Sequence, residues 1–178
     1  MVIITGKDLT IEEVVQVARY SDTVALAEEA QHAIQKARAY VEKKLAKGEV
    51  IYGLTTGFGE FQKVFVSPKN ARTLQHNLII SHSCGMGNPM PLEVARAMLL
   101  LRINSVSKGN SGLKLSTVQL MVDMLNRGVT PFIPEKGSLG ASGDLALLAH
   151  MVQPMIGVGK GYYKGELMDG REAMTKAG

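Results

Sequence analysis

At 178 residues, 46% hydrophobic and 20% charged, the chain falls in the range of ordinary globular proteins, with apolar mass for one or two small domains. Its net charge of +4 comes from lysines and arginines interleaved with acids, as in Glu42-Lys43-Lys44, so no basic block marks a nucleic-acid groove. A single cysteine, Cys84, excludes an intrachain disulfide and a cysteine-built metal site, and fits a reducing cytoplasm.

In chain order, the N-terminal MVIITGKDLT lacks the basic-then-apolar pattern of an export signal, and no later stretch approaches the roughly 18 apolar residues of a membrane span. A cytoplasmic protein without membrane association is expected. Thr10 with Glu13 forms a capping box that opens a helix through about Tyr20. A longer helix is expected from Asp22 or Thr23, with Leu26, Ala30, Ala33, Ile34, Ala37 and Val41 at helical spacing and Gly48 as its stop. Between Gly48 and Ser67 the periodicity ends, and YGLTTGFGE reads as a shaped loop. Ser67-Pro68 starts a helix that runs to about Ser83.

Pro91 opens LEVARAMLLLRINSVS, whose continuous apolar middle predicts burial nearly all round. The next helix spans Ser116 to Asn126, closed by Gly128, and the prolines of Val129–Pro134 then exclude helix. After GSLGASGDLALLAH come a helix to about Ile156, a Lys164-Gly165 hairpin turn and a last helix from Asp169. Strands do not alternate with helices, so the expected fold is mainly α with minor extended segments and no parallel sheet.

Three chemistries suit the glycine-rich stretch GSLGASGDLALLAH. Ser142 or Asp144 can cap a helix beginning at Leu145. Ser142 can be a nucleophile on a tight turn, although Asp144 stands where that motif needs glycine. Finally, the Gly143 amide nitrogen can attack the Ala141 carbonyl carbon, closing a five-membered ring where the chain bends tightly. Loss of water from that ring and from Ser142 leaves an electrophile that no unmodified side chain offers. A phosphate-binding loop is not supported, because no G-x-x-x-x-G-K-[ST] is present.

Several stretches in order carry a family pattern: YGLTTGFGEF, NLIISHSCG, LLLRINSVSKGNSG and GSLGASGDL-x-x-LAH. From Tyr52 onward the chain resembles the N-terminal part of the aromatic amino acid ammonia-lyases and aminomutases, and its motifs are most similar to the histidine-selective members. The resemblance implies a methylidene-imidazolone prosthetic group formed from Ala141, Ser142 and Gly143, with no metal and no diffusible cofactor. It implies a tyrosine base, here Tyr52, and an amino-acid substrate, L-histidine, deaminated to trans-urocanate and ammonia.

A β-proton of an unactivated amino acid is very weakly acidic, so its removal needs both an electrophile that helps the amine depart and a well-placed base. Read locally, Tyr52 is an aromatic packed beneath a glycine loop, with Gly57 and Gly59 permitting close approach of substrate. The Ser81-His82 pair resembles that of histidine-selective relatives, with His82 bonding or orienting the substrate imidazole, although the pair also fits some tyrosine 2,3-aminomutases and a lone helical histidine also serves structure. Asp144 is expected to cap the following helix or polarise the ring-forming peptide. His150 is expected to pack or bond locally, Cys84 to be a small core residue, and His32 and His76 have no special context.

Two departures stand out. Leu147 occupies a position that is usually proline in the family, within the first turn of the expected helix, where proline costs little. The family also continues beyond residue 178 into a helical bundle that carries an arginine for the substrate carboxylate and further polar groups, and it assembles as a homotetramer. Residues 1–178 are therefore expected to be the prosthetic-group-bearing N-terminal domain. The alternatives are a tyrosine or phenylalanine lyase or aminomutase, and a catalytically silent folding or oligomerisation module.

Overall fold

The computed structural model describes residues 1–138 and 145–178, the side chains of residues 68 and 69 excepted. Strand β1 (Val2–Ile4) leads into α1 (Ile11–Tyr20), which opens on the expected Thr10–Glu13 capping box and closes on Ser21 in a left-handed conformation. Strand β2 (Val24–Leu26) then returns parallel to β1, pairing Val2 with Val24 and Ile4 with Leu26. This small parallel unit corrects two expectations: a parallel pair exists, and Val24–Leu26 is strand, the helix α2 beginning only at Glu28 and running to Ala46. Three-residue strands are too short to show period-two alternation, and Leu26 happens to continue the spacing of α2. The outer edge of β2 is satisfied by a side chain, since Asn126 accepts the Val24 N–H at 2.8 Å and donates to its carbonyl at 2.9 Å.

Helix α3 (Pro68–His82) follows the loop, and strand β3 (Met86–Pro89) leads to α4 (Leu92–Ser107). Helix α4 carries the centre of the core, with Leu99, Leu100 and Ile103 fully buried against α1 and α5 (Leu115–Arg127). Its burial is not complete all round as expected: Leu101 is 50% exposed, because the helix presents that side away from α1 and α5. Buried Arg96 donates to the carbonyls of Val17 (2.8 Å), Ala18 (3.2 Å) and Leu125 (3.4 Å), so one guanidinium satisfies the last carbonyls of two helices.

Gly128 ends α5 in the left-handed region, φ +75°. Strands β4 (Val129–Pro131), β6 (Lys160–Tyr163) and β7 (Glu166–Asp169) form an antiparallel sheet in the order β4-β6-β7, with Lys164 and Gly165 at positive φ in the hairpin turn. Strand β5 (Pro134–Lys136) pairs with β3. Helix α6 spans Leu145–Val152, shorter than expected, because Pro154 cannot continue it and a 3-10 turn follows. Leu147 lies in its first turn as expected, partly buried against the core. Helix α7 (Gly170–Ala177) starts on Asp169, whose carboxylate accepts the Arg171 N–H. Among the described residues no helix is long and apolar enough to cross a membrane.

Candidate active site

The loop that carries Tyr52 is built on two buried threonines. Thr55 Oγ1 accepts the Ile51 N–H at 2.8 Å and donates to the Glu49 carbonyl at 3.0 Å, while Thr56 Oγ1 accepts from Gly53 N–H (3.2 Å) and donates to the Gly57 carbonyl (2.9 Å). Thr56 bridges Phe65, and Gly57 N–H and Val66 N–H donate to the carbonyls of Val64 and Thr55, closing the loop on itself. The threonines of TTGFG are thus the buried polar frame of a loop that has no hydrophobic core.

Tyr52 stands at the tip, 62% exposed, with its ring edge-on to Phe58 at a centroid distance of 5.8 Å. Its hydroxyl accepts the Gly59 N–H at 3.4 Å, so two of the predicted site residues meet. A methyl group on Gly59 would have open space around it, although φ is +57° there. Gly57 differs: a methyl group there would stand 2.5 Å from Cβ of Phe61, so its missing side chain makes room for this chain's own 3-10 turn at Gly59–Lys63.

His82 ends α3. Its Nδ1 lies 2.9 Å from the Leu78 carbonyl and 3.1 Å from Ser81 Oγ, and Ser81 itself donates to Leu78 at 3.1 Å. A carbonyl only accepts, so the Nδ1 contact requires the proton on Nδ1 and leaves Nε2 as an acceptor. Among the described residues Nε2 has no partner. Helix end and serine together therefore fix a tautomer suited to receiving an N–H donor.

Three residues later the chain reaches a crowded corner. Gly85 N–H donates to Nε2 of His150, on α6, at 3.0 Å. A methyl group on Gly85 would meet His150 Nε2 and Pro134 Cγ, each at 3.0 Å. One on Gly137, whose φ of +147° favours glycine, would meet Cα of Gly85 at 2.8 Å and Cβ of Ala146 at 3.3 Å. The end of SHSCG is thereby packed against both roots of the GSLGASGDL segment. Ala141, Ser142, Gly143 and Asp144, named as candidates above, lie outside the described residues.

His150 is 8% exposed, and burial holds its proton affinity below that of an ordinary histidine, partly offset by a hydrogen bond with Gln153. Its reach across 65 residues corrects the expectation of a local role. Cys84 is exposed, not a core residue, because the turn at Gly85 carries the chain out toward the exposed strand β3. No group of three metal-ligating side chains occurs among the described residues.

Comparison with known proteins gives this geometry its context. The family model for aromatic amino acid lyases matches residues 9–178. The histidine ammonia-lyase of Caldanaerobacter subterraneus subsp. tengcongensis is 53% identical over 177 residues, covering 99% of this chain and 35% of that protein. Among solved structures, ergothionase from Treponema denticola superimposes with a TM-score of 0.95 at 34% identity, over 99% of this chain and 35% of that one. Histidine ammonia-lyase from Trypanosoma cruzi superimposes at 0.90 and 35% identity, over 99% and 34% of the two chains. The chain spans about a third of the length of the relatives it matches. It belongs to the aromatic amino acid lyase family, over nearly its whole length.

Proposed function

We propose that residues 1–178 are the prosthetic-group-bearing N-terminal part of a histidine ammonia-lyase, which removes ammonia from L-histidine without oxidation and leaves trans-urocanate. The observation that carries this reading is the identity of 51–53% to bacterial histidine ammonia-lyases over 97–99% of the chain. The tautomer of His82 adds support, since an Nε2 acceptor complements the N–H of a substrate imidazole. In this reading the whole protein is a cytoplasmic homotetramer that needs neither a metal nor a diffusible cofactor.

A methylidene-imidazolone formed from Ala141, Ser142 and Gly143 would supply the electrophile that assists departure of the amine. The root of that segment suits such a group: Gly137 has no room for a side chain against Gly85, which is itself hemmed in by His150 and Pro134. Tyr52, exposed at its loop tip, supplies the oxygen that takes the β-proton. Gly59 holds that phenol by its backbone N–H, and His82 orients the imidazole.

The test is product formation by the whole protein. L-histidine is expected to yield urocanate, followed by its ultraviolet absorbance, with equimolar ammonia, and Ser142→Ala is expected to abolish both. Absence of urocanate from the unaltered protein overturns the reading, and cinnamate or coumarate from phenylalanine or tyrosine would replace it.

A further inference from the structure

We infer that His150 is a positioning residue: by accepting the Gly85 N–H at Nε2, it ties the chain segment that presents His82 to the helix that follows Ala141, Ser142 and Gly143 in sequence. The inference rests on the proposed histidine deamination, and extends it to a group outside the residues assigned above.

Three observations on separate parts of the chain converge on this corner. The first is the hydrogen bond itself, 3.0 Å long between residues 65 positions apart. Among the described residues it is the one hydrogen bond that joins the end of α3 to α6. The second is steric: Gly85, Pro134, Gly137 and Ala146 pack so tightly that a methyl group on Gly85 or Gly137 would come within 3.0 Å of a neighbouring atom. Such a corner transmits displacement, because close-packed atoms have nowhere to yield. The third is sequence distance, since only Ser83 and Cys84 separate Gly85 from His82.

An acceptor is what the site requires of residue 150. Gly85 contributes a backbone donor in a partly buried place, and an unpaired buried donor is costly. A histidine that keeps Nε2 unprotonated meets that need, and burial favours the unprotonated ring. If the bond is lost, the Gly85 peptide is free to turn toward water, and the end of α3 that carries His82 is no longer tied to α6. Because His82 acts by orienting substrate, the consequence should appear in substrate binding.

The experiment compares His150→Phe and His150→Gln in the whole protein. Phenylalanine fills the space without an acceptor, whereas the glutamine Oε1 accepts an N–H. His150→Phe is expected to raise KM for L-histidine about tenfold, the equivalent of one buried hydrogen bond, with a smaller change in kcat. His150→Gln is expected to bring KM back to within about threefold of the unaltered protein, because an amide oxygen replaces the lost acceptor. Should His150→Phe fail to fold, exchange of the Gly85 amide in the unaltered protein decides: at least about tenfold slowing relative to an open chain is expected. An unchanged KM in folded His150→Phe, failure of folded His150→Gln to restore KM, or an unprotected Gly85 amide each overturns the inference. Absence of urocanate from the unaltered protein removes the proposed reaction as well, whereas normal turnover with an unchanged KM in His150→Phe removes only the role of His150.

Discussion

Tyr52 sits on a loop whose hydrogen bonds, among the described residues, stay within residues 44–66, whereas the Gly85 corner beyond His82 is held by a residue 65 positions away. The first region leaves Tyr52, Phe61, Val64 and Phe65 more than half exposed. The second has glycines in place of side chains and a histidine that is 8% exposed. A loop closed by its own bonds can open without disturbing the core, while a corner made by three distant segments opens only with the fold. The candidate base is therefore mounted on an element that can adjust, and the candidate substrate-orienting group beside one that cannot.

The strongest way to break this contrast is Tyr52→Phe. Its ring is mostly exposed and its hydroxyl makes one long hydrogen bond, so the melting temperature should hardly move. Loss of a catalytic base should nevertheless lower kcat about 100-fold or more. Thermal unfolding measured beside steady-state kinetics checks both halves, and activity close to that of the unaltered protein would make Tyr52 an aromatic that only packs on Phe58.

A smaller effect separates the two regions by pH. Burial depresses the proton affinity of His150, so on acidification the unfolded chain takes up a proton that the folded corner refuses. Unfolding free energy should therefore fall as pH drops below about 6.5, the ordinary imidazole value, and level off below the depressed folded value. The slope is at most about 1.4 kcal/mol per pH unit for this one group, and His150→Gln removes it. Denaturant titrations between acid and neutral pH measure the difference between the two proteins, and superimposable curves would contradict a buried, unprotonated His150.

Features that depend on neighbouring residues are legible in the amino-acid sequence. The capping box at Thr10, the stop at Gly128, the turn at Lys164-Gly165 and the end of α3 near Ser83 each follow from side-chain chemistry within a few positions. Pairings across long separations are not legible there. Val2–Ile4 and Val24–Leu26 are each too short to show a strand period, and their partnership depends on the crossover through α1.

The candidate site divides in the same way. TTGFG marks a shaped loop and Ser81-His82 a helix end, whereas the tautomer of His82 emerges only from its contacts with Leu78 and Ser81. One hydrogen bond from Gly85 to His150 leaves no periodic trace, and only the glycine after Cys84 hints at a close approach. Cys84 itself departs from the expected burial: small apolar residues usually lie inside, and here a glycine turn carries the thiol outward.

Conversion of Ala141, Ser142 and Gly143 into an electrophile is central to the proposed chemistry, and mass spectrometry of the peptide containing them, taken from the whole protein, tests it most directly. Ring closure with loss of two waters is expected to lower that peptide's mass by about 36 Da. A peptide at the full mass of its unmodified residues, from protein that is folded and freshly prepared, would contradict it.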